Sequence, residues 1–229
     1  MSRSVHVGHP RFRGLIFDNG DILFDASLWR RWLHTEIEAL DIKVTFDELV
    51  AHWESELVDV YQGKAAYWDR FDKLLGRLKV PTASRTMLTD AAKQKAKAVQ
   101  TDRLPMPGVP ETLAQLRQQG VKLAVLSDTE GGEVAVRGIL QQLGVEDFFD
   151  SVIASSDIGY SKPAPEAYAS AVKSLALSHD QCAFVAHDVD ELTGAQDVGL
   201  FAIAYNDTPS APRDATVEHF SELLKFAQA

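Results

Sequence analysis

Short apolar runs of strand length alternate with helical patterns along most of this chain, and this alternation restricts the possible fold more than any other feature. Five runs are apolar nearly from end to end: Gly14–Phe17, Lys122–Leu126, Ser151–Ala154, Ala183–Ala186 and Phe201–Ala204. Strands without polar alternation are typical of a sheet that is covered on both faces. Because helical segments separate the runs, the pattern predicts right-handed crossovers and a doubly wound parallel α/β sheet of at least five strands.

A continuous helical stretch interrupts the alternation between the first two runs. Residues 25–105 contain about four segments whose apolar side chains recur at helical spacing. Thr45 and Glu48 have the spacing of a capping box at the start of the second segment. We therefore expect a core domain formed by residues 1–24 and 106–229, with an inserted helical domain at 25–105.

Polar side chains that could bind a ligand or take part in a reaction stand at or just after several of the predicted strands. Asp18 follows the first strand, Ser127 follows the second, Lys162 precedes a helix, and an acidic segment at 187–191 follows the fourth strand. The carboxyl ends of parallel strands form one edge of a sheet, where ligands usually bind. A carboxylate, a hydroxyl, a lysine and an acidic cluster at one edge form a set suited to phosphoryl transfer with a divalent cation. We predict an active site at this edge.

Composition and charge restrict the class of partner. The chain has 229 residues, of which 45% are hydrophobic and 24% are charged, as in ordinary globular proteins. A net charge of -10 argues against nucleic acid and anionic membrane surfaces, but a local site can still bind a small anion. Cys182 is the only cysteine, and no apolar signal segment follows the basic N-terminus. We expect a cytoplasmic protein that acts on a small anionic molecule, and the oligomeric state stays open.

The segments at the strand ends resemble the four motifs of the haloacid dehalogenase superfamily of hydrolases. They are FDNGDIL at 17–23, LSD at 126–128, SKPAP at 161–165 and HDVDELTGA at 187–195. The stretch at 105–128 is also similar to that family, and the likeness covers nearly the whole chain. The resemblance implies a Rossmann-type core, and the helical stretch at 25–105 is similar to that family's C1 cap.

The resemblance implies catalytic and substrate-binding roles for the matched residues. Asp18 would be the nucleophile that forms a covalent aspartyl intermediate. Ser127, with Asp128 beside it, would bind the group that is transferred. Lys162 would contribute to binding and catalysis by neutralising the charge on the nucleophile and the substrate.

The resemblance also implies a Mg²⁺ site, although the fourth motif departs from the family pattern. Asp18, the carbonyl of Gly20 and an acidic residue of that motif would hold the ion through oxygen atoms. His187 stands where the family has the first acid of the motif, and an imidazole is a poor ligand for Mg²⁺. Asp188 and Glu191 therefore both remain candidate ligands, and His187 could instead carry protons.

A second departure from the family pattern is Gly20. Phosphatases of the family usually carry a second aspartate at this position, as general acid and base. Asp21 is one residue too far along the chain, and we expect it to point elsewhere. General acid catalysis is typically worth about 10²–10⁴-fold, so the change implies an easy leaving group, a proton carried by water, or a slow enzyme.

Three main functions are compatible with these residues, beside other transfer reactions on the same scaffold. The leading hypothesis is a Mg²⁺-dependent phosphatase of a small phosphorylated metabolite that acts through an aspartyl-phosphate on Asp18. A metal-free 2-haloacid dehalogenase would use the same nucleophile, but its usual aromatic and threonine positions are here Gly20 and Ile22. Arg30 and Arg31 could bind a substrate carboxylate or lie on the solvent face of the first cap helix. The third possibility is a binding module that keeps the fold and has lost efficient turnover.

Overall fold

A parallel sheet lies at the centre of the computed structural model, which describes residues 9–206 and 212–228. Within these residues the sheet has six strands in the order β3-β2-β1-β4-β5-β6, and every pair is parallel. The strands are β1 Gly14–Phe17, β2 Lys122–Ser127, β3 Ser151–Ala154, β4 Cys182–Ala186, β5 Phe201–Tyr205 and β6 Ala215–Val217. The predicted doubly wound α/β fold is confirmed. The apolar pattern did not indicate β6, because this short edge strand has one buried residue, Val217.

Helices connect the strands and fill the long insertion after β1. The α-helices are α1 Ser27–Glu38, α2 Phe46–Tyr61, α3 Tyr67–Arg77, α4 Thr82–Thr101, α5 Val109–Gln118, α6 Gly132–Gln142, α7 Ser155–Ile158, α8 Pro165–Ser174 and α9 Val189–Asp197. Short 3₁₀ helices occupy Glu146–Phe148, His179–Gln181 and Phe220–Phe226. Among the described helices, none combines the length and apolar character needed to cross a bilayer.

The two faces of the sheet carry separate hydrophobic layers, since successive strand residues point to opposite sides. Leu15 and Phe17 belong to the layer that packs against α5, α6 and the last 3₁₀ helix. Ile16 belongs to the opposite layer, with residues of α8 and α9. Burial on both faces explains why the strands of the sequence are almost continuously apolar.

Helices α1 to α4 pack around a hydrophobic cluster of their own. Its buried members are Trp29, Leu33, Ile37, Leu49, Trp53, Leu57, Val60, Phe71, Leu74, Leu75, Leu78, Val80, Leu88 and Ala92. The predicted capping box is present at the start of α2, where the hydroxyl of Thr45 accepts from the N–H of Glu48 and the Glu48 carboxylate accepts from the N–H of Thr45. The division into residues 1–24, 25–105 and 106–229 stays a prediction, and residues 1–8, 207–211 and 229 lie outside the described part.

The chain leaves and re-enters the core at adjacent points. Phe24 and Pro105 form an antiparallel bridge, and the N–H of Met106 donates to the carbonyl of Leu23 at 2.8 Å. The guanidinium of Arg103 lies 4.5 Å from the ring centre of Phe24. The two connections to the helical insertion are therefore held side by side next to the end of β1.

Candidate active site

Asp18 lies at the carboxyl edge of the sheet, between the ends of β2 and β4. The parallel register pairs Phe17 with Val125 of β2 and with Val185 of β4, so that Asp18 is the first residue beyond this row. Its N–H donates to the carbonyl of Val185 at 2.9 Å, which continues the pairing for one more residue. This bond fixes the backbone of Asp18 where the two neighbouring strands end.

Lys162 joins two carboxylates of this edge. Its Nζ forms an ion pair with Oδ1 of Asp18 and lies 2.9 Å from Oε1 of Glu191. Burial opposes the charge on Lys162, but attraction to Asp18, Glu191 and Asp128 outweighs burial and raises its pKa well above the usual value. Lys162 is therefore a fully buried cation that can offset charge on Asp18 and on a bound anion. The structure brings these residues together as the sequence order predicts.

The end of β2 supplies the second side of the site. Ser127 is buried at the last position of β2, and Nδ2 of Asn19 donates to its Oγ at 3.5 Å. Asp128 accepts from the N–H of Lys162 at 3.2 Å, and burial is the main cause that raises the pKa of Asp128 to about 6. Asn19 was not among the residues singled out from the sequence, although its place beside Asp18 was the signal that could have identified it.

Asp188 has a structural task in the fourth motif. It caps the start of α9, where its Oδ1 accepts from the N–H groups of Asp190 at 2.8 Å and Glu191 at 3.3 Å. Such caps typically stabilise a helix by about 1 kcal/mol. One oxygen of Asp188 is therefore engaged at the helix end, whereas Glu191 reaches the buried pair of Lys162 and Asp18.

The donor set at this edge fits a magnesium ion better than an ion that needs several protein side chains. Among the described residues, no three His, Cys, Asp or Glu side chains are arranged to hold a metal. Mg²⁺ commonly takes one or two carboxylates, keeps several waters and binds substrate oxygens. Asp18, Glu191 and the Gly20 carbonyl offer such donors. Oε2 of Glu191 is buried without a hydrogen-bond partner in the described chain, and a cation would satisfy this oxygen.

Asp21 faces the helical insertion instead of the nucleophile, as its spacing predicts. Its φ of 58° is in the left-handed region, and its Oδ1 accepts from the N–H of Ala26 at 2.8 Å. Its Oδ2 pairs with Nη2 of Arg30, and Nε2 of His187 lies 4.0 Å from the same oxygen. Asp21 is therefore bound to the start of α1, and Gly20 leaves the position of the usual acid without a side chain.

A cavity of about 580 Å³ adjoins this edge. Most of its wall is aromatic or aliphatic: Phe24, Ala26, Trp29, Trp53, Leu57, Tyr61, Tyr67, Trp68, Ala96 and Val99. Its charged residues are Asp25, Arg30, Glu54, Arg103, Asp128 and Glu130. Since Asp128 directly follows β2 and most of the wall belongs to α1–α4, the cavity connects the sheet edge with the insertion. Its volume is typical of small-molecule sites.

The two arginines of α1 differ in their surroundings. Arg30 lines the cavity and binds two carboxylates, Asp21 and Glu54, the latter at 3.3 Å. Arg31 is exposed, and its Nε donates to the hydroxyl of Ser27 at 2.9 Å. Arg31 thus lies on the solvent face of α1, whereas Arg30 does not.

Close packing of α9 holds Lys162 and Glu191 at their separation. A Cβ on Gly194 would lie 2.6 Å from Cβ of Pro163 and 2.9 Å from Oη of Tyr168. The hydroxyl of Tyr168 donates to the carbonyl of Glu191 at 2.7 Å. Gly194 therefore allows α9 to approach the loop that carries the lysine.

The fold and the edge residues define the class as a parallel α/β protein with a buried aspartate–lysine pair and a helical insertion beside it. The sequence profile of the haloacid dehalogenase-like hydrolases matches residues 7–199. The match covers most of the chain, and the protein belongs to this hydrolase family. The resemblance inferred from the four motifs is thereby confirmed.

Individual relatives include phosphatases and dehalogenases. The chain is 27% identical over 222 residues to a phosphoglycolate phosphatase from Pectobacterium atrosepticum, covering 93% of this chain and 91% of that protein. It is 26% identical to a glyceraldehyde 3-phosphate phosphatase from Methanocaldococcus jannaschii, covering 94% and 97% of the two chains. The crystal structure of a dehalogenase with an intermediate complex is similar with a TM-score of 0.71 and 20% identity, covering 96% and 99%. At this identity the structural likeness concerns the fold alone.

Proposed function

We propose that the protein is a phosphatase that removes the phosphate group from a small phosphorylated metabolite, with Asp18 as the nucleophile. The observation that carries the proposal is the buried ammonium of Lys162 between Asp18 and Glu191. A fixed cation beside a nucleophilic carboxylate lowers the repulsion between that carboxylate and an incoming phosphate dianion. Two relatives that match over nearly their full length are phosphatases by name, which supports this substrate class.

The proposed reaction uses the edge residues as follows. Asp18 attacks phosphorus and forms an aspartyl-phosphate, which water then hydrolyses. Lys162 offsets the charge of the phosphate, and Ser127 donates a hydrogen bond to one of its oxygens. Asp128 holds the loop of Lys162 by accepting a hydrogen bond from the backbone N–H of Lys162.

Mg²⁺ is part of the proposal. Asp18, the carbonyl of Gly20 and Glu191 would hold the ion, and the second oxygen of Asp188 is a further candidate ligand. When bound, the ion would supply positive charge that stabilises the phosphoryl group during transfer. The buried oxygen of Glu191 without a partner supports this choice of ligands.

The domain division, the cellular location and the class of partner are also part of the proposal. We propose that residues 25–105 act as a cap domain beside the core of 1–24 and 106–229, since α1 to α4 have a hydrophobic cluster of their own. We further propose a cytoplasmic protein with a small anionic substrate and with neither nucleic acid nor membrane as partner. The free buried thiol of Cys182 and the net charge of -10 support this setting.

The test is a panel of phosphorylated metabolites and 2-haloacids, each assayed with Mg²⁺ and with EDTA. The proposal expects release of phosphate that needs Mg²⁺ and stops in EDTA. Phosphate release from no member of the panel would overturn it.

A metal-free 2-haloacid dehalogenase is the second candidate, because Gly20 gives this site no side chain for the acid–base work of a phosphatase, although Gly20 also lacks the aromatic ring that dehalogenases usually have there. Asp18 would then attack carbon, and halide would leave without a proton. In the same panel, halide release that continues in EDTA would favour this reaction over the phosphatase.

A further inference from the structure

The proposed phosphatase reaction needs a proton for the leaving oxygen, and the usual donor is missing at Gly20. The neighbouring carboxylate is not available to supply it, since both oxygens of Asp21 are engaged: Oδ1 accepts from the N–H of Ala26, and Oδ2 pairs with Arg30. Arg30 engages only one oxygen, Oε1, of Glu54. Resting on the proposed function, we propose that Glu54 of α2 is the general acid and base of this enzyme. The replacement would come from the helical insertion instead of the nucleophile loop.

One guanidinium links Glu54 to the nucleophile loop. Nη1 of Arg30 lies 3.3 Å from Oε1 of Glu54, and Nη2 of the same side chain pairs with Oδ2 of Asp21. The two nitrogens belong to one rigid planar group. Glu54 is therefore one guanidinium away from the residue that follows Gly20 in the nucleophile loop.

The cavity gives Glu54 access to a substrate. Glu54 and Asp128 line the same cavity, and the side chain of Glu54 keeps 44% of its exposure. Two of the other carboxylates of the wall, Asp25 and Asp128, are less suited to the role. Asp25 bonds to Ser27 at the start of α1, and Asp128 accepts from the backbone of Lys162.

The surroundings of Glu54 also favour its protonated form. Although 44% of its side chain is exposed, the protein atoms around Glu54 displace water and raise its pKa. Arg30 opposes this effect, and the negative charges of Asp188 and Asp18 raise the pKa further, so that the net shift is upward. A raised pKa makes a carboxyl group easier to protonate, which favours its use as both proton donor and proton acceptor in one catalytic cycle.

The proposed cycle balances as follows. A carboxylate oxygen of Asp18 forms a bond to phosphorus while the bond from phosphorus to the leaving oxygen breaks. The carboxyl proton of Glu54 moves to that oxygen, which releases an alcohol and leaves Glu54 ionised. Water then attacks phosphorus and gives its proton to Glu54, while the bond between phosphorus and Asp18 breaks. Phosphate departs, and both carboxyl groups return to their starting state.

The test compares two substrates that differ in their need for a proton. An alkyl phosphate that the wild-type enzyme hydrolyses must gain a proton on its leaving oxygen, whereas 4-nitrophenyl phosphate releases a stable phenolate. Glu54→Gln should lower kcat for the alkyl phosphate by about 10²–10³-fold, within the usual range for loss of general acid–base catalysis. With 4-nitrophenyl phosphate it should release about one phenolate per enzyme in a burst, because the second step still lacks its base.

Two further variants separate chemistry from structure. Glu54→Asp keeps a carboxyl group and should retain more alkyl phosphatase activity than Glu54→Gln. Glu36→Gln changes a carboxylate of α1 outside the cavity wall and should leave both activities within about 3-fold of the wild type. Circular dichroism melting of each variant checks that it is folded.

The outcomes distinguish this proposal from the proposed function. Equal losses on both substrates without a burst, or Glu54→Gln activity close to that of the wild type, would overturn the role of Glu54 and leave the phosphatase standing. A wild-type protein that hydrolyses no phosphate ester would overturn both.

Discussion

Nζ of Lys162 and Oε1 of Glu191 lie 2.9 Å apart, and the same ammonium also pairs with Asp18. Removing this cation leaves two mostly buried carboxylates without their partner. Lys162→Met is therefore expected to destabilise the protein by about 3–5 kcal/mol, as when one partner of a buried ion pair is lost. Urea unfolding measures the change. Glu191→Gln, which keeps the pair of Lys162 and Asp18, should cost less, and the opposite order would contradict the assignment.

Asp18→Asn should abolish turnover, by about 10⁴-fold or more, while the protein remains folded. The amide has nearly the size of the carboxylate but does not attack phosphorus or carbon at a useful rate. Asp21→Asn should reduce kcat by less than about 10-fold, because Asp21 binds Arg30 and Ala26 instead of the substrate. Steady-state kinetics and thermal melting of both variants test the prediction. Similar losses from both would mean that Asp21 shares the chemistry.

Mg²⁺ should bind weakly, with a dissociation constant nearer the millimolar than the micromolar range, because His187 replaces an expected carboxylate. His187→Asp adds a hard oxygen ligand, and we expect it to tighten Mg²⁺ binding by about 10-fold. Isothermal titration calorimetry measures the change. His179→Asp, which precedes β4 at the opposite end of the strand, is the matched control and should leave the affinity unchanged. Equal Mg²⁺ affinities in the wild type and both variants would show that residue 187 does not lie next to the ion.

Gly194→Ala should lower both stability and activity, since its Cβ would lie 2.6 Å from Cβ of Pro163. Overpacking of this kind typically costs about 1–3 kcal/mol, and here it would also push α9 away from Lys162. Gly138→Ala is the control in α6, where an added Cβ meets nothing within 4 Å. That variant should be stabilised by about 0.5–1 kcal/mol. Thermal melting of both variants shows whether the contact with Pro163 or the higher helix propensity of alanine determines the change in stability at position 194.

Glu56 of α2 should make stability depend on pH. Its buried carboxylate pairs with Arg70, Lys73 and Arg77. Burial would raise the pKa of Glu56, but these cations outweigh burial and lower it below 4.5. The stabilisation is therefore complete above about pH 4.5 and is lost as the pH falls through the lower folded pKa. Glu56→Gln should cost about 1–3 kcal/mol at pH 7 and progressively less toward pH 3, as measured by urea unfolding.

The sequence predicted the sheet and one side of the site well, because a strand that is buried on both faces has apolar side chains at nearly every position. The apolar runs marked β1 to β5, and the polar residues that follow the first two runs are Asp18 and Ser127. A carboxylate next to such a run has few places to lie other than the sheet edge. Strand β6 was not predicted because its three residues include only one buried side chain, Val217, which is too little to form an apolar run.

Tertiary structure alone decided where each acidic residue lies and what it contacts. From the sequence, Asp188 and Glu191 were equivalent candidate metal ligands. In the structure Asp188 caps the start of α9, whereas Glu191 pairs with Lys162. Glu54 had no local signal at all, since a glutamate in an amphipathic helix normally faces solvent. Its place depends on how α2 packs across α1 and on the path of Arg30 between them. The amino-acid order determines periodicity and burial along one element, whereas contacts between distant elements follow from packing that no short segment encodes.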